Sequence, residues 1–98
     1  MITHVVCMSF HDRADRAEAA DRLAALVDRI ESLHSLSVGA DVGGDPAAAD
    51  LALVTTHADL AGLQAYQEHP AHEEFKAWAG PRLASRVVVD FEAPDALV

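Results

Sequence analysis

The sequence predicts an α+β domain: a four-stranded antiparallel sheet with its helices on one face, the elements running βαββαβ. Runs rich in β-branched and apolar residues occur at "ITHVVCMSF", Ser35 to Val42, "DLALVTTH" and "ASRVVVDFEAP". Between the first and second runs, and again between the third and fourth, apolar residues recur at helical spacing. Turn chemistry at "HDRAD" and "GGDP" separates the elements. That order is the split-βαβ, ferredoxin-like arrangement, and at 98 residues it accounts for one domain spanning 1–98.

The first strand covers "ITHVVCMSF". From Ala14 to His34 the spacing predicts one long amphipathic helix, with Leu23, Leu26, Val27, Ile30 and Leu33 on its apolar face and Asp21, Arg22, Asp28 and Arg29 opposite. Ser35 to Val42 forms the second strand, and "GGDP" turns it as a hairpin into the third, "DLALVTTH". Asp59 is placed to cap a helix through "LAGLQAYQE". Pro70 lacks an N–H and holds His69 away from helical angles, so it ends that helix; at the first turn of a new one it is welcome, and "PAHEEFKAWAG" restarts.

An antiparallel sheet with one wet face alternates apolar and polar residues. "HVVCMSF", "DLALV" and "RVVVDF" do not alternate, so both sheet faces need cover. A second copy packing sheet to sheet supplies it, which predicts a symmetric homodimer. By parity, Ile2, His4, Val6, Met8 and Phe10 face the helices with Leu51, Leu53, Thr55, His57, Arg86, Val88 and Asp90. Thr3, Val5, Cys7, Ser9, Val87, Val89 and Phe91 then face the partner.

Asp plus Glu outnumber Lys plus Arg by 16 to 7, a net charge of -9, which argues against nucleic acid as a partner. No apolar run approaches the roughly 20 residues of a membrane span, and no basic-then-apolar leader opens the chain. The lone Cys7 allows no disulfide framework. These features predict a soluble protein of the reducing cytoplasm.

The residues with chemical potential converge on the layer between helices and sheet. His4 and Asp90 point toward Tyr66 and His72. A buried histidine beside a carboxylate gains orientation and basicity, so Asp90 is expected to serve His72 as a general base. The Tyr66 hydroxyl can donate to a carbonyl oxygen and stabilise an enolate. Together they predict proton abstraction next to a carbonyl without a cofactor. An architectural reading competes: Tyr66 as a core aromatic, His69 as a cap beside Pro70, His72 as a satisfied core imidazole. A metal site is disfavoured, because Lys76 stands where a zincin helix places its second histidine after His72 and Glu73.

"MITHVVCMSF", "DLALVTTH", "AYQEHPAHEEF" and "VVVDFEAP" together resemble the stress-responsive dimeric α/β-barrel (Dabb) family, over Met1 to about Pro94. The most specific part is a tyrosine, two residues, His-Pro, one residue and His, kept here as Tyr66, His69, Pro70 and His72. The resemblance implies the dimeric ferredoxin-like fold. In members of the olivetolic acid cyclase type it implies a cofactor-free aldol cyclisation of a polyketide, with Tyr66 and His72 matching the catalytic pair, Asp90 near that histidine and His4 facing the pocket. Many other members are stress-induced proteins without an assigned reaction, and monooxygenases share the architecture. Where the cyclases line the cavity with bulky aromatics, this chain has Leu23 and Leu26.

The sequence therefore predicts a cofactor-independent polyketide-cyclase- or isomerase-like enzyme acting on a carbonyl-bearing small molecule. Its catalytic residues would be His72, Tyr66 and Asp90, in a pocket built by His4, His69, Val6, Met8, Leu23, Leu26 and Leu53. The alternative is a non-catalytic dimeric stress or small-molecule-binding protein.

Overall fold

The computed structural model describes residues 1–94. Strand β1 (Ile2–Phe10) is followed by helix α1 (Asp15–Ala24), β2 (Ser35–Ala40), β3 (Leu51–His57), α2 (Leu60–Glu68), α3 (Pro70–Ala79), a single 3₁₀ turn (Gly80–Arg82) and β4 (Leu83–Glu92). The strands form one antiparallel sheet in the order β2-β3-β1-β4. This is the ferredoxin-like topology that the pattern predicts.

Burial in β1 alternates strictly, with Ile2, His4, Val6, Met8 and Phe10 inward, and in β3 Leu51, Leu53, Thr55 and His57 are buried beside them. Helices supply Leu23, Leu63, Tyr66 and Phe75 to the same core. On the other face Val87, Val89 and Phe91 remain 64%, 57% and 47% exposed, and Val54 joins them. Isolated apolar residues on a surface are ordinary, but here Val5 of the intervening β1 pairs with both Val54 and Val89, and a contiguous apolar patch marks a contact surface.

The long first helix is corrected: α1 stops at Ala24. Beyond it the backbone bonds from i to i+3, with Leu26 N–H donating to the Leu23 carbonyl at 3.0 Å and Arg29 N–H to that of Leu26 at 3.0 Å. Such tight turns eclipse residues three apart, so Leu26 stays buried beneath Leu23 while Val27, expected on the apolar face, swings out to 49% exposure. The chain has to reach the sheet edge by Ser35, which pairs with Thr56, and the turns bend it there.

The second strand also ends early, at Ala40, and "GGDP" belongs to a ten-residue connection, residues 41–50, in place of a tight hairpin. Aspartates organise this loop. The Asp41 carboxylate accepts from Gly44 N–H at 2.9 Å, where Gly44 adopts φ 72°, and the Asp45 carboxylate accepts from Ala47 N–H at 2.7 Å.

The joint between α2 and α3 follows the predicted logic. Asp59 caps α2 by accepting from Gly62 N–H at 2.8 Å. His69 is extended, with ψ 138°, and its Nδ1 accepts from Ala71 N–H at 3.0 Å, while Pro70 occupies the first turn of α3. The break re-aims α3 so that His72 and Phe75 enter the core.

Candidate active site

The helix-facing layer holds four aromatic side chains in contact. Tyr66, fully buried on α2, lies 4.6 Å from the His72 ring centroid, 4.9 Å from that of His57 and 6.3 Å from that of His4. The strands bring two of these histidines in by parity; the helix joint brings the tyrosine and the third.

His57 is fully satisfied. Its Nδ1–H donates to the Ser32 carbonyl at 2.9 Å, leaving Nε2 to accept from the Thr55 hydroxyl at 2.9 Å. Burial is the main influence lowering its pKa, so it is a neutral tie between β3 and the chain before β2.

His4 and Asp90 form the central pair. They face each other across β1 and β4, and His4 Nδ1 donates to Asp90 Oδ1. With Nδ1–H committed to a carboxylate, the other nitrogen, Nε2, is the basic one, and no hydrogen bond among the described residues occupies it. Asp90, expected to serve His72, thus serves His4. The physical reason is register: direct cross-strand pairing sets the Asp90 carboxyl against the His4 ring, whereas His72 sits a layer above on α3.

His72 is buried, and among the described residues its Nδ1 has no hydrogen-bond partner. Burial, aided by the nearby Lys76 charge and opposed by the Gln67 backbone and Glu73, lowers its pKa to about 4. The expectation of raised basicity is therefore overturned; at neutral pH this imidazole is uncharged and a poor proton acceptor. Among the described residues the Tyr66 hydroxyl is likewise buried without a partner, and burial raises its pKa to about 12, with Arg86 acting in the opposite direction. A buried polar atom left unpaired costs about 1–3 kcal/mol. Two such atoms on neighbouring rings call for a partner that the described residues do not supply.

A cavity of about 250 Å³ opens beside them, lined by His4, Val6, Met8, Leu23, Leu53 and His72 among apolar residues, with Phe75 and Leu83 as further walls and Lys76, Gly80 and Arg86 at the lip. Five residues predicted to shape the pocket, His4, Val6, Met8, Leu23 and Leu53, do line it. Leu26 and His69 do not: Leu26 lies under the tight turns after α1, against a separate shallow depression, and His69 is spent on the helix joint. Phe75, Lys76, Leu83 and Arg86 were missed, although the parity that places Asp90 on the helix-facing side of β4 also places Arg86 there. Among the described residues no group of three or more His, Cys, Asp or Glu is arranged to hold a metal ion.

An open-faced split-βαβ sheet with a histidine-lined pocket beneath its helices defines a ferredoxin-like domain of the dimeric α/β-barrel class. The chain belongs to the stress responsive A/B barrel domain family, whose sequence model matches residues 2–93. It is similar to a dimeric ferredoxin-like protein of unknown function from Thermobifida fusca, 33% identical over 94% of this chain and 90% of that one, with a TM-score of 0.83. A dimeric ferredoxin-like protein of unknown function from Bacteroides fragilis matches at 21% identity over 94% and 95% of the two chains, TM-score 0.82. Hydroxynitrile lyase from Passiflora edulis shares the fold at 16% identity over 99% and 96%, TM-score 0.81. A search of curated proteins finds no match.

Proposed function

We propose that this protein is a cofactor-independent cyclase- or isomerase-like enzyme that removes a proton next to a carbonyl in a small molecule. The observation that carries the reading is the His4–Asp90 pair, whose buried histidine lines a cavity together with His72, while among the described residues Tyr66 Oη and His72 Nδ1, on neighbouring rings, are buried without a partner. His4 Nε2 takes the carbon-bound proton, Asp90 stabilises the imidazolium that results, and the electron pair moves onto the carbonyl oxygen. The Tyr66 hydroxyl donates to that oxygen. His72, neutral at pH 7, is the second donor rather than the base, since an uncharged imidazole N–H can polarise a carbonyl. The enolate then attacks a second carbonyl in a cyclase, or is reprotonated at another carbon in an isomerase. That a hydroxynitrile lyase from Passiflora edulis has this fold supports reading the pocket as a place for chemistry.

The test is deuterium incorporation from D₂O into a panel of small ketones and β-diketones, followed by proton NMR. Exchange above the buffer rate is expected, and Tyr66→Phe is expected to slow it by a factor of about 10²–10³. The same variant should unfold at equal or higher denaturant, by up to about 1 kcal/mol, because it removes an unsatisfied buried hydroxyl. Absence of exchange across the panel, with unchanged binding, would leave a binding protein.

The working form we propose is a cytoplasmic homodimer joined through the exposed face of Val54, Val87, Val89 and Phe91. Dimeric relatives and the apolarity of that face support it. Val89→Glu places a charge at the centre of the contact and should convert a micromolar dimer to monomer in sedimentation equilibrium. A wild-type monomer, or a V89E dimer, would remove this interface.

A further inference from the structure

The pocket is apolar within and cationic at its lip, in a chain whose net charge is -9. Among the described residues no Asp or Glu lines it; its charged walls are Lys76 and Arg86 alone. Lys76 is compensated by Glu73 at 2.9 Å. Arg86 is not: among the described residues it makes no ion pair and no hydrogen bond, as is true also of Arg16, which does not line the pocket, whereas Arg13, Arg22 and Arg29 each have a carboxylate and Arg82 bonds the Trp78 carbonyl. Asp90, the acid on the same side of the same strand, is committed to His4.

Arg86 is placed by β4 directly across from Met8, on the pocket wall, and its charge acts on the Tyr66 hydroxyl. An arginine without a partner at the mouth of an apolar cavity presents a planar pair of N–H donors that fits a carboxylate in two parallel bonds. The cavity volume lies just below the range of drug-sized sites, which admits about one ring or a short chain.

We infer that the pocket takes a small apolar monocarboxylate, its carboxylate clamped by Arg86 and its body against Val6, Met8 and Leu53. This rests on the proposed function and deepens it: the substrate class becomes oxo acids, whose carbonyl falls between the Arg86 anchor and the His4 and His72 rings that line the pocket. The carboxylate end stays at the lip, where Lys76 adds to the attraction.

Binding separates this inference from the chemistry, because it needs no turnover. Phenylacetate and its uncharged counterpart phenylacetamide are titrated into the wild-type protein at fixed ionic strength, followed by calorimetry and by amide shifts in a ¹H–¹⁵N NMR spectrum. Wild type is expected to prefer the carboxylate by at least tenfold, with shifts around His4, His72 and Arg86. Arg86→Gln should remove the preference by weakening phenylacetate far more than phenylacetamide, and Arg86→Lys should restore only part of it. Equal affinity for the two probes, an undiminished preference in R86Q, or no binding of either at millimolar concentration would overturn the inference. Ketone exchange persisting in R86Q would then show that the proton-transfer reading survives without the carboxylate anchor; loss of exchange in wild type would sink that reading alone.

Discussion

Asp90→Asn is expected to slow deuterium exchange next to a ketone by a factor of about 10²–10⁴, and His4→Ala by at least as much, with both variants folded. The asparagine keeps the size of the side chain. It removes the charge that stabilises the imidazolium, and its amide can present a donor where His4 needs an acceptor. The Nδ1–H tautomer then loses its anchor, and the basic nitrogen no longer points reliably at the pocket. Nitrogen-15 NMR of the His4 ring should report the change in tautomer directly, which a merely structural role for Asp90 would not require. Wild-type exchange in D90N would exclude the pair from the reaction. If His72→Ala abolished exchange and His4→Ala spared it, the base would be His72 despite its environment.

Acid should destabilise the protein steeply between about pH 6.5 and pH 4, through His72 above all. In the unfolded chain this imidazole protonates near 6.5; in the folded protein burial holds it neutral down to about 4. As pH falls through that window the unfolded state binds the extra proton, so stability is complete above 6.5 and declines below it. The fall in pKa corresponds to about 3 kcal/mol by pH 4. His57, lowered in the same direction by burial, adds to the loss. Urea unfolding at a fixed protein concentration, at pH 7 and pH 4.5, measures it. His72→Phe should flatten the difference, and an unaltered slope in that variant would place the acid sensitivity elsewhere.

Much of the fold was legible because the relevant rules are local. Strand parity placed His4, Val6, Met8 and Leu53 under the helices, and the same parity put Val87, Val89 and Phe91 on the open face. Asp59 and the His69-Pro70 joint could be read as caps because each bonds a backbone N–H within three residues of itself. The end of α1 could not. No glycine or proline interrupts residues 24 to 34, and the chain leaves the helix there because β2 has to begin beside Thr56. Leu26 fell outside the pocket for that reason.

The site divides along the same line. Its membership was in the sequence: the alternation of β1 and the tyrosine–histidine spacing across Pro70 bring Tyr66, His72 and His4 into one layer. Its chemistry was not. Which histidine meets Asp90 depends on a register between residues 86 apart, and which histidine loses its basicity depends on how completely the helices close over it. Residue types and periods determine which side of an element a group occupies, whereas partners and pKa values arise from distances and solvent exclusion that exist only once the elements pack.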